Sequence, residues 1–146
     1  MVDSIHQRIM SAIDTRFKTI LIAGGFKTNM GQHVFAWKET PFDASEIDGV
    51  NYRDRREQRT PGCGIYEFTL PIEIEIFSSS PEGIRKCLAD LEKAIFVDET
   101  WGGLAENSEI DSSEMAIEHK EHIYGASNVV MTVEYRTVRG DPDTAA

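Results

Sequence analysis

The sequence predicts an α+β protein: a mixed, mostly antiparallel sheet of four to five strands with two helices packed on one face. Three observations predict it. The stretch YEFTLPIEIEIF, Tyr66 to Phe77, alternates Tyr66, Phe68, Leu70, Ile72, Ile74 and Ile76 with Glu67, Thr69, Pro71, Glu73 and Glu75, so a strand there has an apolar and an acidic face. Two other segments, around Ile5 to Ile20 and Ile84 to Ile95, repeat apolar residues at helical spacing. The strand-like segments cluster around these helices instead of alternating with them, which favours an antiparallel sheet covered on one side.

Ser4 with Gln7 three residues later reads as a capping box, and Ile5, Ile9, Ile13, Phe17 and Ile20 form the stripe of a first helix that Gly24-Gly25 stops. A Gly-containing turn leads to a short strand over Val34 to Trp37, and a second lies near Val50 to Arg53. The run YRDRREQRTPGCG then gathers Arg53, Arg55, Arg56 and Arg59 before Pro and Gly, and reads as a mobile basic loop. It is a candidate contact for an acidic partner or a neighbouring subunit, set against the plainer reading of a solvated loop.

After the long strand, SSSPEG supplies an N-cap serine, a proline at the first helical position and an early glutamate. Ile84, Leu88, Leu91 and Ile95 continue as the stripe of a second helix laid on the sheet, closed by the glycine turn of DETWGGLA. Met115 to Lys120 reads as an edge strand, and NVVMTVEYRT as the last clear strand, with Val129, Met131, Val133 and Tyr135 on one face. From about residue 137 the chain reads as a polar, flexible tail. No internal repeat or linker divides it, so residues 1–146 read as a single domain.

Acidic residues outnumber basic ones 25 to 15, a net charge of −10 that repels a phosphate backbone and disfavours binding to free DNA or RNA. Cys63 and Cys87 fit neither a disulfide framework nor a zinc spacing, which suggests a reducing cytoplasm. The N-terminus lacks a basic region followed by an apolar run, and no segment approaches the length of apolar sequence that spans a membrane.

The residues offer several chemistries. Glu118 and Lys120, joined by Asp98 or Asp111, would make a magnesium-dependent nuclease site with carboxylates on the metal and lysine beside the water. His119 and His122, with Glu118 and Glu121, suggest a metal pair, but an extended chain turns their rings to opposite sides. Cys63 is a candidate thiol near Arg56 and Arg59, whereas Cys87 reads as a packing residue within the second helix. Glu73 and Glu75 stand at a spacing that suits paired-carboxylate catalysis, without a sugar-stacking aromatic beside them. Trp101 reads either as a lid on the core or as an exposed aromatic anchor.

Taken in order, the first helix, GGFKTNMGQHVF, LPIEIEIF, DETWGGLA and VEYRTVRGDP resemble, over residues 4 to 142, the tail terminator or tail completion family of long-tailed bacteriophages. The resemblance implies a non-enzymatic virion protein without a cofactor, assembled in the host cytoplasm. Its copies would form a ring, typically a hexamer, that ends tail-tube polymerisation and presents a surface to the head connector. It implies partners in the tail-tube protein, the connector and further copies of the chain, while DNA passes through the lumen unbound. On that reading Arg53, Arg55, Arg56, Arg59 and Trp101 are candidate interface residues, and Glu67, Glu73 and Glu75 are candidate lumen-facing residues that repel DNA. A head-completion or neck ring protein is the nearest alternative, and the metal-dependent nuclease of Glu118 and Lys120 the alternative from another class.

Overall fold

The computed structural model describes residues 2–119 and 123–146, the side chains of 117–124 excepted. Helix α1 spans Ile5–Phe17 and helix α2 Pro81–Ile95. The strands are β1 (Val34–Ala36), β2 (Gly49–Asp54), β3 (Gln58–Pro61), β4 (Ile65–Ser78), β5 (Asn107–His119), β6 (Ile123–Val138) and β7 (Asp141–Ala145). The class is the α+β one predicted, with seven described strands in place of four or five. Among the described residues only β1 and β2 pair in parallel, and every other pairing is antiparallel.

Two long strands form the spine. β4 and β6 pair over their whole shared length, from Ile65 opposite Val138 to Ser78 opposite Gly125. Each is too long for one neighbour on its outer side. β4 is flanked by β2 along Ile72–Phe77 and by β3 along Tyr66–Thr69, while β6 is flanked by β5 along its first part and by β7 at its end.

The alternation in β4 sorts the sheet into two faces. Phe68, Leu70, Ile72 and Ile74 stand opposite Tyr135, Val133, Met131 and Val129, and all are buried in one core with both helices. Each fully buried Ile or Leu contributes roughly 1.5–3 kcal/mol of burial. The opposite face, carrying Glu67, Thr69, Pro71, Glu73 and Glu75, has no helix over it.

Ser80 caps α2 by accepting from Gly83 N at 3.0 Å, with Pro81 in the first turn as the sequence suggested. Ile84, Leu91 and Ile95 are buried as predicted, and Leu88 only partly so. The close seat of α2 on β6 needs a glycine at 125, where a Cβ would lie 2.6 Å from Ile84 Cγ1. Ser4 caps α1 by accepting from Gln7 N at 3.1 Å, but the Gln7 side chain turns forward to Ser11 and does not close the box. α1 ends at Phe17, short of the predicted Ile20, because Thr19 N and Ile20 N bond back to Arg16 O and Phe17 O in a tighter turn. Ile20 is still buried there.

Three expectations are corrected. Residues 53–61 are not a mobile loop: they complete β2 and form β3, held in the ladder of β4. The chain beyond 137 is not a frayed tail, since β6 runs to Val138 and β7 pairs back on it. The edge strand predicted from Met115 begins earlier, at Asn107, and a bulge between Ile110 and Ser112 at Asp111 breaks the alternation that would have revealed it.

Candidate interaction surface

Strand alternation divides the arginine-rich segment by sign. Arg53 and Arg55 turn toward the uncovered face, where Arg53 Nη2 meets Glu75 Oε1 and Arg55 Nε meets Glu73 Oε2, each at 2.5 Å. The third glutamate of the row, Glu67, lies 3.0 Å from Arg136 Nη2. Arg136 Nε also lies 2.8 Å from Glu106 Oε1, off the N–H direction, which makes an ion contact without a hydrogen bond. Two of the candidate interface arginines, Arg53 and Arg55, are therefore partners of two of the candidate lumen carboxylates, Glu75 and Glu73. The bare acidic row expected of this face is corrected to a row of ion pairs, and each of Glu73 and Glu75 is occupied by a guanidinium where paired-carboxylate chemistry would need both free.

The acids of the same segment turn the other way. His6, on the first turn of α1, sits between them: Nε2 is 2.9 Å from Asp54 Oδ2 and Nδ1 is 3.0 Å from Glu57 Oε2. Tyr135 OH donates to Glu57 Oε2 at 2.5 Å, and Trp37 Nε1 donates to Asp54 Oδ1 at 2.8 Å. The hydrogen bond to Glu57 is the main reason the imidazole is raised above its ordinary value, against the opposing effect of burial. Burial works to raise both carboxylates, but the bonds from Trp37 and His6 hold Asp54 low, and those from His6 and Tyr135 hold Glu57 low. Burial, then the hydrogen bond to Glu57, pushes the Tyr135 phenol up. This cluster binds the start of α1 to the arginine segment and leaves Arg56 and Arg59 outward.

Arg59 lies over the rings of Tyr66 and Phe68, 4.9 and 4.8 Å from their centroids, and Arg139 approaches Tyr66 from the last turn. Arg56 has no carboxylate partner among the described residues. Residues 58–64 are exposed throughout, so this rim of the sheet is open and basic. Cys63 is exposed in the turn that follows β3, while Cys87 is buried under α2 and its thiol is pushed up to about 12, by burial first and then by Asp48.

The two tryptophans exchange the roles the sequence left open. Trp101 is the lid: it is 2% exposed, its indole N–H donates to Ser108 Oγ at 2.7 Å, and Arg16 lies 4.2 Å above its ring. As a surface anchor it is corrected, because its ring is enclosed within the subunit. Trp37, which the sequence assigned to the end of a strand, is 53% exposed and lines a groove of about 680 Å³ with His6, Met10, Asp14, Tyr52 and Asp54.

Asp90 is a further buried group that the sequence did not reveal. Its carboxylate accepts from Lys27 N, Thr28 N and Thr28 Oγ1, the last at 2.7 Å, and so fastens the glycine-flanked FKTN turn to α2. The position falls on the inner face of the helix stripe, which was the available signal.

Of the proposed metal ligands, the side chains of Glu118, His119, Lys120, Glu121 and His122 lie outside the described residues. Asp98 caps its own turn through Thr100 N and Gly102 N, and Asp111 accepts from Thr132. Among the described residues no group of three His, Cys, Asp or Glu side chains stands close enough to hold a metal, and no helix is long and apolar enough to cross a membrane. No protein-family model matches the chain, and no curated protein matches it in sequence.

Proposed function

We propose that the chain is a structural virion protein of the tail terminator kind, acting by self-association and by contact with the tail tube and the head connector. The observation that carries the reading is an α+β subunit whose sheet is covered by helices on one side only and ends in exposed strands on both flanks, β3 on one and β5 on the other. Such a subunit gains cover from copies of itself, and a closed ring removes edges that a monomer leaves open. The order of segments from Ser4 to Pro142 supports the same reading through its resemblance to the family.

On this reading a ring, typically of six subunits, caps the finished tube in the host cytoplasm and remains in the virion. The face of Glu67, Glu73 and Glu75 is the one proposed for the lumen. Its ion pairs with Arg136, Arg55 and Arg53 leave it without free guanidinium groups to hold DNA. By register Glu134 stands on the same face, with no cationic partner among the described residues. DNA then meets a surface that does not attract it.

The test is to add the purified protein to growing tubes of the tail-tube protein from the same genome and to image the ends. A six-fold collar on one end with elongation halted is the expected result. A collar that forms only on the head connector would assign the protein to the neck ring, and tubes that elongate with bare ends beside connectors that also stay bare would sink both readings.

A further inference from the structure

We propose that copies of this chain associate head to tail through opposite flanks of the sheet, the acidic β5 flank of one subunit lying on the arginine-bearing β3 flank of the next. The proposal takes from the ring reading only the presence of a second copy.

Both flanks are unpaired on their outer side. Among the described residues β3 pairs only with β4, and β5 only with β6, so each presents unused backbone N–H and C=O groups, Pro61 offering its carbonyl alone. Residues 58–61 and 111–116 are exposed at every position, although a strand seated in a sheet normally hides one of its faces. β5 has no proline and no lysine, and its own defences are the bulge at Asp111 and its carboxylates, which turn away a like-charged edge but not a basic one.

The charges are opposite. β5 carries Glu109, Asp111 and Glu114 with no Lys or Arg anywhere from Asn107 to His119, and β7, on the same flank, adds Asp141 and Asp143. Glu109 and Glu114 have no cationic partner among the described residues. On the other flank, the two acids of the segment, Asp54 and Glu57, are drawn inward onto His6, so that Arg56 and Arg59 define the sign of the rim. Arg139 adds to it beside Tyr66.

Two like flanks repel, and the two unlike flanks attract. A back-to-back dimer through β5 or through β3 is disfavoured, whereas a heterologous contact is favoured and propagates, closing into a ring if the rotation permits. Burying two free strand edges against each other supplies backbone hydrogen bonds, and the side-chain charges choose which edge meets which.

The experiment uses two single-flank variants of the full chain, Arg56→Glu with Arg59→Glu and Glu109→Arg with Glu114→Arg, together with the chain carrying all four substitutions. Sedimentation velocity follows their association, and circular dichroism of each confirms folding. Wild-type protein should self-associate in a salt-sensitive way, and each single-flank variant should lose at least about tenfold in association. An equimolar mixture of the two variants sets an acidic flank against a basic one at both contacts and should recover higher oligomers, as should the chain with all four changes, in which the two charges are exchanged. A wild-type chain that stays monomeric, single variants that associate like wild type, or a mixture that fails to associate would each overturn the proposal. Assembly that follows the expected pattern while tube ends stay bare would leave the edge contact standing and remove the tail-terminator reading instead.

Discussion

Trp37 and Trp101 share a backbone state that bulky residues rarely adopt, with φ of 55° and 53°, and each donates its indole N–H to a side-chain oxygen. Their surroundings differ. Trp101 begins a run of three left-handed residues with Gly102 and Gly103, turned by the Asp98 carboxylate, and the turn folds the ring into the core. Trp37 follows the end of β1 on the outside, where the Asn51 side chain clamps the next residue by accepting from Lys38 N and donating to Lys38 O. A left-handed non-glycine residue costs about 1–3 kcal/mol. At Trp101 the burial of an indole offsets that cost within the subunit. At Trp37 half of the ring is left to solvent, so the strain is held by polar clamps and the subunit gains little burial from it.

The largest expected effect follows from the inner tryptophan. Trp101→Ala opens a cavity between α1, α2 and β5 and should cost about 3–5 kcal/mol in urea unfolding, enough to unfold a marginal domain. Ser108→Ala removes the acceptor but not the ring, leaving a buried N–H unpaired, and should cost about 1–3 kcal/mol. A Ser108→Ala loss as large as that of Trp101→Ala would mean that the hydrogen bond and not the packing holds the lid.

The inner half of the molecule was legible in the sequence because burial writes a period. Ile84, Leu91 and Ile95 on α2, and the even positions of β4, each recur at the spacing of their element. The outer half was not. β3 (QRTP) and β7 (DPDTA) are polar, contain proline and are exposed, and they are strands because β4 and β6 extend past β2 and β5 and offer them a ladder. His6 and Asp54 are 48 residues apart, a separation no local pattern can bridge. One signal was present: in Arg53-Asp54-Arg55 the period of two already sends the arginines to one face and the aspartate to the other.

The polar support of the outer rim makes it the pH-sensitive half. The His6 imidazole is raised above its ordinary 6.5, so its contribution to stability is complete below that value and is lost as pH rises through the folded value. Asp54 and Glu57 are lowered from 3.8 and 4.5, so theirs is present above those values and is lost as pH falls. Stability should therefore be greatest in the window between. His6→Gln should cost about 1 kcal/mol there, the ion pairs being partly exposed, and should flatten the alkaline decline. Urea midpoints measured across both limbs check this, and an unchanged alkaline limb in His6→Gln would place the titrating group elsewhere.

The smallest stability effect, and the sharpest contrast, belongs to Trp37. Trp37→Gly removes the left-handed strain together with an indole bond at the surface, two changes of opposite sign, and stability should shift by no more than about 0.5 kcal/mol. A strained, half-exposed aromatic beside a groove matches the residues that dominate binding energy in protein interfaces. On the proposed tail-terminator reading, collar formation on tail tubes should weaken in Trp37→Gly while the urea midpoint holds, and Trp37→Phe, which keeps the ring without the N–H, should retain most of it. If Trp37→Gly lowers the midpoint as far as Ser108→Ala does, the outer tryptophan is a second structural lid. The difference between the two positions would then lie in solvent exposure alone.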